Sequence, residues 1–204
     1  MITASEALTR LRDGNRRFVE AEAIGNQGHR ASLAAGQEPF AIVLGCSDSR
    51  VPAELVFDLG FGDLFVIRVA GNIVAPSQVG SVEFAAARFG TPLVVVMGHS
   101  QCGAITATLE ELAGQATSQS RNLRSIVDRV RPSVESVMAV GGDLDSATLI
   151  HEAVRANVRA SANHLRHGSE ILERLIRDGR LLVIGAEYSL ETGTVDFFDG
   201  VPDS

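Results

Sequence analysis

The stretch Phe40-Ala41-Ile42-Val43-Leu44-Gly45-Cys46-Ser47-Asp48-Ser49-Arg50 changes character at its middle. An apolar run gives way at Gly45 to a cysteine and then to polar and charged residues. A short continuous apolar run predicts a strand buried on both faces, as in a parallel sheet. Cys46 is one of two cysteines in the 204 residues. The other, Cys102, lies in Gly98-His99-Ser100-Gln101-Cys102-Gly103, just beyond a second apolar run from Leu93 to Met97. Two thiols and an imidazole, each just past a strand-like run, are a set that a sheet can gather as three metal ligands.

Working outward, Leu64-Phe65-Val66-Ile67 and Leu181-Leu182-Val183-Ile184-Gly185 are further runs of the same kind. Thr194-Val195-Asp196-Phe197-Phe198 alternates instead, as a half-exposed edge strand does. Helical spacing fills the intervals. Thr3-Ala4-Ser5-Glu6 carries the capping-box pattern, and Ala7, Leu8, Leu11, Phe18 and Val19 follow as an amphipathic helix with a break expected near Gly14-Asn15. Residues 25–37 read as loop plus a short helix, and Asp58 to Gly62 as a turn. Further helical stretches are predicted over 80–89, 104–112, 125–140 and from Asp145-Ser146 to Arg177, the last with a break around His167-Gly168-Ser169. Pro132 predicts a kink or a division of the third of these, and Gly141-Gly142 a stop. The pattern gives an α/β fold: a central, mostly parallel sheet of about four parallel strands plus an edge strand, with helices on both faces. No linker or repeat interrupts residues 1–204, so one domain with an N-terminal helical arm over about residues 1–35 is the expected organisation. The arginines at 10, 12, 16 and 17 make that arm basic, as a solvated face or as a surface that packs on a second subunit. In parallel sheets, ligands bind beyond the carboxyl ends of the strands, where strand order reverses. If the first strand lies between the second and third, Cys46 and His99/Cys102 face one crevice.

The formal net charge of −7 argues against a nucleic-acid partner, because phosphates repel an acidic surface. No apolar run approaches the roughly 20 residues of a membrane span. Met1-Ile2-Thr3-Ala4-Ser5-Glu6 lacks the basic and apolar regions of a secretory signal. With only two cysteines, reduced thiols and a cytoplasmic location are expected. A Cys46–Cys102 disulfide is the alternative, and it leaves His99 without a role. No Gly-x-Gly-x-x-Gly or Walker pattern follows any strand.

Cys46, His99 and Cys102 form a Cys₂His set that suits Zn²⁺, one per subunit, with the fourth position open. His29, His151, His164 and His167 lack ligand-like spacing. Cys102 also opens a predicted helix, which favours its thiolate and an anion nearby. Two thiolates neutralise Zn²⁺, so a further group is needed to accept the proton of water. Asp48 is placed for this, with Arg50 holding it ionised by a bidentate pair. If that pair breaks, Asp48 is near enough to take the fourth position itself. The alternative for Asp48 and Arg50 is an ordinary ion pair in a surface turn.

Cys46-Ser47-Asp48-Ser49-Arg50 followed by His99-Ser100-Gln101-Cys102-Gly103 resembles the β-class carbonic anhydrases. Gly14-Asn15-Arg16-Arg17-Phe18, Phe65 to Asn72, Gly80 to Phe84 and Gly185 to Tyr188 extend the resemblance over nearly the whole chain. It implies zinc on Cys46, His99 and Cys102, a catalytic dyad of Asp48 and Arg50, and reversible hydration of CO₂ to bicarbonate and a proton. It also implies a homodimer, often paired into tetramers, in which each active site is lined partly by the neighbouring subunit. Family members that keep the fourth zinc position open carry a glutamine where this chain has Gln37. Those that trap a closed form carry a tryptophan at Val43, acting with an arginine and a tyrosine at Arg68 and Tyr188. An open, water-bound site is therefore expected near neutral pH. Phe65 matches an apolar residue lining the CO₂ pocket. Phe84 stands where plant-type members place a tyrosine in the neighbour's site. The N–H of Gly103 is expected to face a bound anion.

Two other functions fit the same residues. One is a hydrolase of COS or CS₂ on this scaffold, because the same nucleophile attacks those linear molecules. The other is a non-catalytic zinc-binding homologue, which predicts damage to the ligands or the dyad; all five residues are intact.

Overall fold

The computed structural model describes residues 2–20, 33–115, 120–140 and 144–202. Strands β1 (Ala41–Gly45), β2 (Leu64–Arg68), β3 (Leu93–His99), β4 (Leu182–Tyr188) and β5 (Val195–Asp199) form one sheet in the order β2-β1-β3-β4-β5. The first four are parallel and β5 runs antiparallel beside β4. The chain steps from β1 to β2 in one direction and reaches β3 on the other side. The reversal therefore falls between β1 and β3, and the stretches carrying Cys46 and His99 leave the sheet side by side. The loop and short helix expected at 25–37 lie mostly outside the described residues, as does the stop at Gly141-Gly142.

Every residue of β1 and β3 is buried, which is why their sequences run apolar without alternation. Ala41, Val43, Val95 and Met97 face α1 (Ala4–Val19) and the one-turn α2 (Ala53–Val56). Ile42, Leu44, Val94 and Val96 face α3 (Pro76–Phe89), α6 (Ser146–His167) and α7 (Glu170–Arg177). A third cluster joins Cys46 and Cys102 to Ile105 of α4 (Gly103–Leu112), Val130 and Val134 of α5 (Arg121–Val140) and Val154 of α6. This cluster closes one side of the crevice. Among the described residues no helix is long and apolar enough to cross a membrane.

The capping box is present. Thr3 Oγ1 accepts from Glu6 N at 3.2 Å, and Glu6 Oε2 accepts from Thr3 N at 2.7 Å. The break expected at Gly14-Asn15 is absent, because α1 continues to Val19. A Cβ on Gly14 would lie 1.8 Å from the Phe57 carbonyl oxygen, so glycine lets the helix touch that backbone. Asn15 is buried and donates Nδ2 to Val56 O at 3.0 Å and to Gly193 O at 2.8 Å, while its Oδ1 accepts from Val195 N at 2.8 Å. Both residues serve tertiary contacts rather than a helix end.

Two other expectations are refined. Pro132 lies inside α5, which is one helix rather than two. Burial of Val127, Val130 and Val134 on one stripe outweighs the ~3 kcal/mol that an interior proline costs. The fourth strand extends beyond Gly185 to Tyr188, because β3 runs to His99 and gives Ala186, Glu187 and Tyr188 partners. The buried Glu187 carboxylate is met by His151 Nδ1 at 3.2 Å and Arg155 Nη1 at 3.4 Å. The break between α6 and α7 falls where expected, with Ser169 capping Leu172 N.

Candidate metal centre

Gly45 ends β1, and Cys46 follows it buried at the lip of the sheet. His99 is the last residue of β3 and has no exposed surface. The chain then reverses through Ser100 and Gln101, the latter at φ +55°, and brings Cys102 back as the N-cap of α4. The donor atoms of Cys46, His99 and Cys102 all lie within 4.8 Å of one another. The sheet thus gathers the three residues that the sequence pointed to.

The chemistry of this donor set fits a metal ion. His99 Nδ1 lies 2.9 Å from Ser100 O, so the proton belongs on Nδ1, where it is donated to that carbonyl. Nε2 is buried and has no hydrogen-bond partner. A buried, unbonded imidazole nitrogen beside two sulfurs is an arrangement that a metal ion completes. Both cysteines are free thiols rather than a disulfide. The Cys102 thiol donates toward Cys46, which pulls the Cys46 pKa down to about 4 and pushes Cys102 well above the thiol range. Two thiols that compete in this way for protons form a place that a cation can take. Burial opposes a charged His99, but the Cys46 thiolate and the Ser100 carbonyl outweigh it and the imidazole pKa is raised.

Asp48 sits beside this group and is held by Arg50. Arg50 Nε donates to Asp48 Oδ1 at 2.9 Å and Nη2 to Oδ2 at 2.7 Å, and the Arg50 main-chain N donates to Oδ1 at 3.0 Å. Those bonds keep the carboxyl well below the usual carboxylate range. Asp48 Oδ2 lies 3.8 Å from His99 Nε2, so the carboxylate borders the open side of the donor set. Gly103 opens α4 directly after Cys102 and is exposed.

Two contacts to this region were not anticipated from the sequence. Arg68, the last residue of β2, donates Nε to Cys46 O at 3.0 Å and Nη2 to Asp48 O. Gly71 N donates to Cys46 Sγ at 3.4 Å. Both depend on the register of β2 against β1, which pairs Arg68 with Gly45.

Within one chain, the remaining residues expected at the site lie elsewhere. Gln37 is exposed at the amino end of β1 and lines a cavity of about 820 Å³ with Arg10, Phe40 and Arg88. A strand of five residues, about 16 Å long, separates it from the end that carries Cys46. Closeness in sequence becomes distance when the intervening residues are extended. Phe65 lies three residues, about 10 Å, before the end of β2. Its ring centroid is 6.3 Å from those of Phe84 and Phe89, and Phe84 is 53% exposed. These rings form a half-exposed aromatic patch along the sheet edge.

Comparison with known proteins gives a consistent result. A family model described as carbonic anhydrase matches residues 41–195, which include all three donors and the Asp48–Arg50 pair. "Carbonic anhydrase 2" of Mycobacterium tuberculosis is 38% identical over 186 residues, covering 90% of this chain and 87% of that protein. "Carbonic anhydrase" of Mycolicibacterium smegmatis is 38% identical over 189 residues, covering 91% of this chain and 89% of its own. Among solved structures, the β-carbonic anhydrase CcaA superposes with a TM-score of 0.76 at 28% identity over 95% of both chains. The match in sequence and the match in fold agree along almost the full length, and the chain belongs to the β-carbonic anhydrase family.

Proposed function

We propose that this chain catalyses the zinc-dependent, reversible hydration of CO₂ to bicarbonate and a proton, with Cys46, His99 and Cys102 holding one Zn²⁺ and no protein group in the fourth position. The observation that carries the reading is the unbonded, buried Nε2 of His99 facing two cysteine sulfurs, while Asp48 is committed to Arg50. Two thiolates and an imidazole suit zinc over the harder divalent ions. Bound there, zinc supplies a Lewis acid that makes water a nucleophile near neutral pH.

The chain's own residues do the rest. Asp48, kept ionised by Arg50, accepts a proton or hydrogen bond beside the donor set. Arg50 holds it by two parallel bonds, so it presents one orientation. The Nδ1–Ser100 bond fixes the tautomer and ring plane of His99. The start of α4 at Gly103 favours a product that carries negative charge. Three features support the open form of the site. Asp48 already has both oxygens bonded to Arg50. Position 43 is a valine buried in the sheet rather than a tryptophan. The Arg68 guanidinium is committed to main-chain carbonyls, and Tyr188 is buried with its ring centroid 6.5 Å from that of Phe18.

In this reading Gln37, Phe65 and Phe84 act on the metal centre of a neighbouring copy in a homodimer or tetramer. Their distance from the centre in their own chain, and the exposure of the Phe84 ring, support that role. Stopped-flow measurement of CO₂ hydration, run beside sulfide release from COS and CS₂, tests the activity. Fast hydration with slow sulfide release is expected. Negligible hydration with fast sulfide release would make the chain a COS/CS₂ hydrolase instead.

A further inference from the structure

We infer that Arg68 is a positioning residue that fixes the main chain of the metal-binding turn. The inference rests on the metal-centre reading above. Its ground is the geometry of one guanidinium between two carbonyls. Arg68 Nε donates to Cys46 O at 3.0 Å and Nη2 donates to Asp48 O, so a single planar group spans both sides of Ser47. One of those carbonyls belongs to a donor residue and the other to the residue whose carboxylate borders the donor set. Other bonds hold the turn around these two carbonyls, and among them only that from Val51 N meets the same oxygen as Arg68. Val69 N donates to Gly45 O at 3.1 Å, Gly71 N donates to Cys46 Sγ at 3.4 Å, and Val51 N donates to Asp48 O at 3.0 Å.

The two arginines divide the work. Arg50 holds the Asp48 side chain, and Arg68 holds the Asp48 main chain. Without Arg68 the exposed Asp48 carbonyl keeps its bond from Val51 N and can take water, and the partly buried Cys46 carbonyl is the one group left with less access to it, so the fold itself loses little. What is lost is the fixed direction of the turn, which aims Cys46 Sγ and the Asp48 carboxylate at the same point. Lysine cannot replace the fork, because an ammonium is a point donor and reaches one carbonyl well rather than two. Partners of this kind behind a metal ligand are worth about 10–100-fold in metal affinity.

The test compares the wild type, Arg68→Met and Arg68→Lys, each loaded with Zn²⁺ and separately with Co²⁺. Zinc release to a chromophoric chelator is timed. The Co²⁺ absorption bands are recorded, and unfolding midpoints are taken on the metal-free proteins. Release about 10–100-fold faster in Arg68→Met, intermediate in Arg68→Lys, is expected. The Co²⁺ bands should shift while the metal-free midpoint changes little. Wild-type release and wild-type Co²⁺ bands in Arg68→Met would overturn the inference. So would a drop in the metal-free midpoint with metal release unchanged, which marks a merely structural arginine. If Arg68→Met does not fold, Arg68→Lys decides alone, and wild-type release in that variant overturns the inference. A wild-type protein that takes up neither metal refutes the metal-centre reading itself, and that result is distinct from all of these.

Discussion

Replacing Asn15 by alanine removes three side-chain hydrogen bonds between α1 and the rest of the chain. The wild-type amide satisfies Val56 O, Gly193 O and Val195 N at 3.0, 2.8 and 2.8 Å. Alanine leaves all three groups without that partner. A buried polar group that loses its partner costs about 1–3 kcal/mol. The bond to Val56 O is fully buried, whereas the other two are partly buried and can regain some water. Taking the first at the middle of that range and the others at its low end gives about 4 kcal/mol. That is a large part of the roughly 5–15 kcal/mol that stabilises a typical domain. Asn15→Asp is the sharper probe. It keeps an acceptor for Val195 N but turns an oxygen toward two carbonyl oxygens. Its ionised form is therefore worse than alanine at neutral pH. Its folded-state pKa is raised, so its deficit shrinks as pH falls toward the ordinary carboxylate range near 4. Urea unfolding followed by far-ultraviolet circular dichroism, at one protein concentration, gives these differences. An Asn15→Ala protein within about 1 kcal/mol of wild type, or an Asn15→Asp protein equal to wild type at neutral pH, would refute the reasoning.

Asp48→Asn keeps the shape of the dyad without its charge, and CO₂ hydration should fall at least about 10²-fold with zinc retained; a zinc-loaded variant at full activity would show the dyad to be decorative. Because Arg50 lowers the Asp48 pKa, the stabilisation from this pair is fully present above the unfolded carboxylate value near 4 and is lost only as pH falls through the lower folded value. Unfolding midpoints of wild type and Asp48→Asn should therefore differ by a constant amount above about pH 5 and converge only in acid; convergence at neutral pH contradicts the pairing. Zinc competes with protons for the Cys46, Cys102 and His99 donors, so affinity should rise with pH through neutrality, measured by competition with a chelator. A pH-independent affinity would rule that out. A Cβ at Gly98 would lie 2.7 Å from Val158 Cγ2 and 3.1 Å from Val154 Cγ1. Gly98→Ala should lower stability by about 1–3 kcal/mol, and Val158→Ala in the same chain should restore part of it; an additive double variant would place the strain elsewhere.

The donor set was legible because each ligand sits where an apolar run stops. A strand buried on both faces announces its end sharply, and Cys46 and His99 stand at two such ends. Asp48 and Arg50 were legible because their bond is local, two residues apart. The features that escaped the sequence depend on partners far along the chain. Asn15 reaches Gly193 and Val195 across nearly the whole polypeptide, so its polar character reads locally as a helix break. Arg68 touches the metal-binding turn only because β2 pairs with β1 in one register, and periodicity does not reveal register. The apolar run predicts a strand only as far as Gly185, because His151 and Arg155, which meet the charge of Glu187, come from α6. Gln37 shows how local spacing can mislead about distance within one chain. Nine residues before Cys46 is near in sequence, yet an extended strand places it at the far end of the sheet.

The most direct test of the account is a crystal structure of the zinc-loaded protein at about pH 7.5. The predicted result is one zinc per chain bound by Cys46 and Cys102 sulfurs at about 2.3 Å and by His99 Nε2 at about 2.0–2.1 Å, with Asp48 still paired to Arg50 and no side chain in the fourth position. Zinc bound away from these three residues, or Asp48 released from Arg50 and coordinated to the metal at that pH, would contradict it.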